Sequence, residues 1–352
     1  MPEKARIGII GAGWWATEYH IPGVLEHPQA ELAAVCDSHA GRLEQAATAY
    51  NLKQTYLDYQ EMLAAEQLDG AIIATPHATH YAIARDCLEK NLHVLIEKPM
   101  TLYARHARLL LDLAGARHKE IVLGYTAHYS KQAQRARQVV QAGELGAVQY
   151  LTSSFSSGVS VLLSGHYTPD PSSSRYRVHG PSENYNRPEL LGGGQGHLQL
   201  THSIGWLFYT TGLRARRVQA MMKEHGLAVD LVDAFTVEFE GGALGLVGGT
   251  GNAHVGNRMA LAVYGSEGCY VADTLSRYAA IHRNGAEPES LDWSPTTNSR
   301  HPVTENFIEV IFGREPNHAP GEVGWRAVEL LDAAYRSVHE HGRLVSMEEL
   351  YR

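Results

Sequence analysis

Along the first third of the chain, short unbroken apolar runs alternate with stretches whose apolar residues recur at helical spacing. The runs fall at 7–10, 32–36, 71–74, 94–97 and 121–124, and the helical stretches are clearest at 41–50, 81–89 and 104–114. An apolar run without polar alternation reads as a strand buried on both faces, which predicts a parallel sheet covered by helices. Ligands of such open sheets bind outside the carboxyl ends of the strands, and most of these runs end on polar residues. After about Ala127 the pattern changes. A helical stretch at 131–141 precedes strand-like pieces at 149–155, 218–222, 235–239, 244–247, 259–264 and 270–272, with hairpin-type turns at Gly241-Gly242 and Asn284-Gly285. This predicts an α+β region with a mostly antiparallel open sheet. Residues 168–187, rich in Pro, Ser, Tyr and Arg without period, read as a long loop over the active site. Two closing helices are expected at about 304–312 and 323–339.

Bulk properties narrow the function classes. A chain of 352 residues suits two cores rather than one. The formal net charge of −8 argues against a nucleic-acid surface. The one basic cluster, Arg214, Arg216 and Arg217, follows a Thr-Gly turn and reads as a solvated strand entry. Cys36, Cys87 and Cys269 have no paired spacing, as expected of reduced thiols. No signal-peptide pattern opens the chain and no apolar run is long enough to span a bilayer, so a soluble, cytoplasmic protein without membrane contact is expected.

The chemistry concentrates at strand ends. Gly11-Ala12-Gly13-Trp14-Trp15-Ala16 follows the first strand and matches the dinucleotide fingerprint, with alanine as its last small residue. Gly11 permits the tight turn, Gly13 lets the backbone approach a pyrophosphate, and the helix N-terminus beyond offers free N–H groups to the anion. Asp37 ends the second strand, where a carboxylate would accept the adenosine ribose hydroxyls. A 2′-phosphate would meet that negative charge, and Ser38-His39 bring no arginine, so NAD is expected over NADP. Glu97-Lys98-Pro99 closes another apolar run and puts an ammonium group on the same edge.

With Glu97-Lys98-Pro99 added, the chain resembles the glucose–fructose oxidoreductase/inositol dehydrogenase/rhizopine-catabolism (Gfo/Idh/MocA) family over nearly its whole length. The resemblance includes Ala74-Thr75-Pro76-His77-Ala78-Thr79-His80, Gly192-Gly193-Gly194 followed by His202, and the closing helix at 327–343. It implies an α/β Rossmann dinucleotide-binding domain at 1–126 and an α+β substrate-binding and oligomerisation domain at 127–352. Thr75, Pro76, His77 and His80 would line the dinucleotide, with Trp14, Trp15, Ala16 and Ser38 beside it. Glu97 and Lys98 would lie near the nicotinamide, and His202 beside the substrate carbonyl. Leu198 stands where the family often carries an aspartate, Gly205 at a further acidic position, and His128 where an arginine is often found. The resemblance therefore implies an intact nicotinamide site with an altered substrate grip.

These residues lead to a mechanism. A lysine titrates near pH 10.4, so a base near neutrality needs that value lowered by burial and by the positive nicotinamide ring. Lys98 is read as the group that takes the hydroxyl proton while hydride passes to NAD, and His202 as a partner in proton transfer or hydroxyl binding. Gln195, His197 and Gln199 are weaker polar candidates; Tyr125, His128, Tyr129 and Tyr185 are candidates for a pocket rim. His77 and His80 lack helical i,i+4 spacing and no ligand set accompanies them, so no metal is expected. The expected activity is an NAD-dependent dehydrogenase or reductase; the resemblance implies a sugar, glycoside or cyclic polyol as its substrate and, with the broad second sheet, a homodimer or homotetramer as its assembly. Two rivals are an NAD-retaining glycosidase or lyase working by transient oxidation and elimination, and a non-catalytic dinucleotide and sugar sensor.

Overall fold

A computed structural model describes residues 3–167, 178, 183–254 and 256–352. The loop expected at 168–187 falls mostly outside the described residues; its described end is the turn Glu183–Asn186.

Six strands build the first sheet: β1 (Ala5–Ile10), β2 (Ala30–Cys36), β3 (Thr55–Tyr56), β4 (Gly70–Ile73), β5 (His93–Ile96) and β6 (Ile121–Leu123). They are all parallel, in the order β3-β2-β1-β4-β5-β6. The unbroken apolar runs are buried on both faces: Ile7, Ile9, Ile72, Ile73, Leu95 and Ile96 are inaccessible or nearly so. The strand order reverses between β1 and β4, and the crevice that this leaves at the carboxyl edge is where a parallel sheet of this kind binds ligands. The helices expected at 41–50, 81–89 and 104–114 form as Ala40–Tyr50, His80–Glu89 and Ala104–Arg117. The two-residue strand β3 was not anticipated; it is too short to show an apolar run.

The second sheet has nine strands: β7 (Val148–Ser156), β8 (Ala215–Lys223), β9 (Val232–Phe239), β10 (Leu244–Thr250), β11 (Arg258–Gly265), β12 (Gly268–Asp273), β13 (Tyr278–Arg283), β14 (Glu289–Ser290) and β15 (Val345–Ser346). Their order is β14-β13-β12-β11-β7-β10-β9-β8-β15, antiparallel except for the β7–β10 pair. Gly241 and Gly242, at φ of 85° and 91°, turn the chain between β9 and β10, as their pairing predicts. One face is covered by the helices Lys131–Gln141, Thr201–Thr211 and Gly321–His339. On the other face, alternate residues of β8 and β10 point outward, Met221 being 70% exposed and Leu246 50%. The arginine cluster at the entry to β8 is paired with carboxylates: Arg214 with Glu329, Arg216 and Arg217 with Glu238.

The end of the chain returns to the first sheet. Phe307 and Ile311 of the helix Pro302–Ile311 close over Gly70, where a Cβ would come within 2.8 Å of either. Leu123 N–H donates to the Ala319 carbonyl at 2.8 Å, and Pro320 bridges Val122, so this segment runs along the β6 edge. Gly321 and Gly324 then let the last long helix sit directly on Ile121 and Leu123.

Candidate active site

A cavity of about 1110 Å³ opens at the carboxyl edge of the first sheet, walled on its far side by the helix that carries His202. Each strand end contributes. Gly11 follows β1 with φ of 99°, and a Cβ there would lie 2.4 Å from the Ala74 carbonyl, so only glycine passes this turn. At Gly13 a Cβ would meet nothing within 4 Å: the backbone is bare toward the cavity, as a cradle for a pyrophosphate requires. The helix beyond opens as a π-helical turn at Ala16–His20 before continuing as Ile21–Glu26, a departure from α geometry frequent at functional sites.

Asp37, after β2, is almost fully buried and saturated. Its Oδ2 accepts from Ala12 N–H at 2.9 Å and Arg42 Nε at 3.3 Å, and its Oδ1 from His39 N–H at 2.8 Å and Arg42 Nη2 at 3.1 Å. Arg42 lines the cavity, although the sequence around Asp37 had promised no arginine there. Thr75, Pro76 and His77 line the cavity after β4. His80 lies behind them, buried, with its two ring nitrogens on the Pro99 and Thr75 carbonyls, both at 2.9 Å; it ties two strand-end turns together rather than facing the cavity. Ala16 is likewise buried behind the wall, while Trp14, Trp15 and Ser38 reach it.

Glu97 and Lys98 follow β5. The Glu97 carboxylate accepts from Trp15 Nε1 at 2.7 Å, from His20 Nε2 at 3.0 Å and from Lys98 N–H at 3.2 Å. Burial pushes this carboxyl up, but the hydrogen bond and charge of His20, the Lys98 charge and the Trp15 bond outweigh it, and the net shift is downward. Gly124 is required beside it, since a Cβ would fall 2.5 Å from a carboxylate oxygen. Lys98 Nζ donates to the Leu198 carbonyl at 2.8 Å across the cavity. Burial lowers its pKa to about 8, against a smaller upward pull from Glu97.

The His202 helix is shaped by the glycines before it. Asp230, in the turn before β9, accepts from Gly194 N–H at 2.7 Å, Gly196 N–H at 2.8 Å and Tyr335 Oη at 2.8 Å. A Cβ on Gly193 would lie 2.1 Å from Tyr335 Oη and one on Gly194 2.1 Å from the Asp230 carbonyl, which explains the glycine run. The chain then makes a second π-helical turn, Gly196–Leu200, that turns the Leu198 carbonyl to Lys98 and His202 to the cavity. The His202 ring lies over Phe155, with ring centroids 5.9 Å apart. Burial, then the charges of Lys98 and His128, hold its pKa well below the ordinary histidine value, so it is neutral near pH 7.

Five candidates for substrate contact do not reach the cavity: Tyr129, buried with its hydroxyl donating to Asn306 Oδ1 at 3.1 Å, His197, buried with its ring stacked on Tyr335 at 4.5 Å, and the three that follow. Tyr125 is buried with its hydroxyl on Thr201 Oγ1 at 3.1 Å, and its ring fills the space beside Gly205, where any side chain would collide. His128 is inaccessible and stacked on Tyr209 at 4.1 Å. Gln195 is buried, donating to the Phe155 carbonyl at 3.0 Å. All three hold the His202 helix from behind. Tyr185 does line the cavity and meets Trp14 Nε1 at 3.1 Å. Sequence reasoning missed Arg42, Thr126, Asn184 and Asn257, all on the cavity wall. Among the described residues no three His, Cys, Asp or Glu side chains converge as a metal site would require.

A parallel sheet with this glycine turn, an acidic second strand end and a partly buried lysine facing a histidine defines the class of nicotinamide-dependent oxidoreductases. Residues 5–125 match the family description "Oxidoreductase family, NAD-binding Rossmann fold" and residues 133–271 the "GFO/IDH/MocA C-terminal domain". The chain belongs to the Gfo/Idh/MocA family. It is 33% identical to the rhizopine catabolism protein MocA of Rhizobium meliloti over 153 residues, a match spanning 43% of this chain and 47% of that protein. Against the myo-inositol 2-dehydrogenase of Thermotoga maritima it is 23% identical across 98% of this chain and 99% of the other. The fold matches the WlbA dehydrogenase of Bordetella pertussis, solved with NADH and UDP-GlcNAcA, at a TM-score of 0.77 and 19% identity, covering 97% and 98% of the two chains.

Proposed function

We propose that the protein transfers hydride between a nicotinamide dinucleotide and a secondary alcohol or ketone of a sugar, glycoside or cyclic polyol. The observation that carries this reading is Lys98: an amine lowered to about 8, on the ligand-binding edge of the sheet, opposite a neutral histidine in one cavity. The bare backbone at Gly13, the carboxylate of Asp37 and the Thr75-Pro76-His77 wall would hold the dinucleotide, with Glu97 and Lys98 at its nicotinamide end. When bound, that cofactor accepts or returns the hydride. Lys98 Nζ takes the hydroxyl proton in oxidation and returns it to the carbonyl oxygen in reduction. The Leu198 carbonyl aims the amine without adding a second ionisable group, and His202 offers one donor and one acceptor to a substrate hydroxyl. Thr126, Asn184, Gln199 and Asn257 add uncharged polar contacts to this wall, a lining suited to hydroxyl groups.

On this reading residues 1–126 form the dinucleotide half and 127–352 the substrate half. NAD is the tighter ligand because a 2′-phosphate would approach the Asp37 carboxylate. The exposed apolar face of the second sheet makes the protein a homo-oligomer. The test is a panel of sugars, polyols and aryl glycosides with NAD⁺, read by NADH absorbance and product analysis. Lys98→Ala is expected to lower turnover by about 10²–10⁴-fold with NADH affinity nearly unchanged. Near-normal turnover in that variant sinks the assignment, and aglycone release without NADH replaces it with redox-assisted elimination.

A further inference from the structure

We propose that Asp230 is a positioning residue for the reaction: from outside the cavity it clamps the opening of the His202 helix, and through that turn it fixes the carbonyl against which the Lys98 amine is held. This deepens the reading of Lys98 as the group that moves the proton, and rests on it.

Asp230 takes three successive N–H groups. Its Oδ1 accepts from Gly194 N–H at 2.7 Å, its main-chain carbonyl from Gln195 N–H at 2.9 Å and its Oδ2 from Gly196 N–H at 2.8 Å. Such donors at a helix opening have no acceptor within the helix, and a negative charge there meets the positive end of the helix dipole. Tyr335 Oη, from the closing helix, donates to Oδ1 at 2.8 Å and holds the carboxylate in turn. The glycines exist for this clamp. A Cβ on Gly193 or Gly196 would lie 2.1 or 2.6 Å from Tyr335 Oη, and one on Gly194 2.1 Å from the Asp230 carbonyl.

The clamp reaches the amine through one further residue. Leu198 N–H donates to the Gly194 carbonyl at 2.8 Å, and the Leu198 carbonyl accepts from Lys98 Nζ at 2.8 Å. Asp230 itself is buried and does not line the cavity, so it acts on Lys98 only through this turn. A carbonyl that accepts from an ammonium favours the charged form. The contact that aims the amine therefore also raises its proton affinity, against the burial that lowers it to about 8. Glu97 faces Lys98 from its own strand end, His77 and His80 from the segment after β4, and His202 from across the cavity. Burial keeps the three histidines neutral above pH 7, and Glu97 is ionised there, so Lys98 titrates alone within this group. Around Asp230 stand Tyr335, His197 and Asp233; burial keeps the first two neutral over the same range, and Asp233 stays intact in each variant tested.

The amine is titrated without substrate. Wild type, Asp230→Asn and Gly196→Ala are labelled briefly with acetic anhydride between pH 7 and 10, and the Lys98 peptide is quantified by mass spectrometry, with thermal melts and NADH titrations alongside. In wild type, labelling is expected to rise through about 8. Both variants are expected to carry the midpoint about one pH unit lower, about tenfold in proton affinity. Gly196→Ala keeps the carboxylate and displaces only the turn, so it separates aim from charge. On a sugar or polyol that the wild type oxidises, turnover at about pH 9.5, where the amine is free in all three proteins, is expected to fall about 10–100-fold, with NADH affinity within a few-fold. A Lys98 midpoint unchanged in Asp230→Asn overturns the proposal, as does a shift there that Gly196→Ala does not reproduce, which marks a distant charge effect. If Asp230→Asn does not fold, the Gly196→Ala midpoint decides alone. Full turnover in Lys98→Ala removes the reading of Lys98 itself and the proposal with it, an outcome separate from anything the labelling reports.

Discussion

Lys98 owes its chemistry to its position two residues past a buried strand. β5 carries the backbone to the sheet edge, Glu97 turns inward to Trp15 and His20, and Lys98 is left to cross the cavity to Leu198. Because burial lowers the amine to about 8 and His202 is already neutral, one ionisation governs activity near neutrality. For alcohol oxidation the free amine is the active form, so kcat/KM is expected to rise with pH and level off above about 8. For ketone reduction the protonated form is active, and the same profile is expected to fall through that value. Initial rates in both directions between pH 6 and 10 check the sign; a flat profile would remove Lys98 from proton transfer. Asp37 and Lys98 were legible in the sequence because each ends a recognisable apolar run. Arg42 was not, because its partner lies on the preceding strand end and a helix start intervenes, so no local motif marks the pair.

The element that most determines the site is the helix bearing His202, and it is held from below by charge as much as by packing. Asp230 satisfies two N–H groups of the glycine run, and the Asp233 carboxyl lies next to it, almost fully buried. Burial, then the charge of Asp230, raise the Asp233 pKa well above the ordinary carboxyl value. A carboxyl whose folded pKa is raised adds stability below its unfolded pKa of about 4 and loses it as pH rises through the folded value. Asp233→Asn is therefore expected to raise Tm relative to wild type more at pH 8 than at pH 5, read by thermal melts. Asp230→Ala leaves the Gly194 and Gly196 N–H groups without their acceptor, at about 1–3 kcal/mol each. It is expected to lower Tm and turnover while NADH binding persists, since the dinucleotide side of the cavity does not depend on it. The glycines themselves were visible in the sequence; the reason for them was not, because Asp230 and Tyr335 come from distant segments brought together only by the second sheet and the closing helix. The candidates Tyr125, His128 and Gln195 were misplaced for the related reason that a polar side chain next to a site, on the wrong side of a helix, has the same local sequence as one inside it.

At the scale of the whole molecule, the nine-stranded sheet is covered, among the described residues, on one face only. The other carries Met221, Leu244 and Leu246 outward, with Tyr150 stacked near Tyr264 at 6.0 Å, a larger apolar surface than scattered exposed side chains would make. Light scattering behind size exclusion is expected to give a dimer or tetramer, and Met221→Glu with Leu246→Glu to give monomer; a monomeric wild type would contradict the assembly. The architecture of both sheets was readable from periodicity, since buried parallel strands are uniformly apolar and half-covered strands alternate. The pairing of β7 with β10 in parallel was not, because alternation reports burial and says nothing of direction.

The return of the chain end to β6 bears on how this protein can be recombined. Ala319 and Pro320 cover the outer edge of the first sheet, and the helix beginning at Gly321 lies in a shallow trough over Ile121 and Leu123. The cofactor half is thus not a cassette that a single cut near residue 126 would release. A hybrid carrying another relative's dinucleotide half would inherit a bare edge and an ill-fitting trough. Exchange calls for three junctions, one after β6, one before Pro302 and one after Pro320, so that the segment sealing β6 travels with the first sheet while the helix from Gly321 stays on β8 of the second.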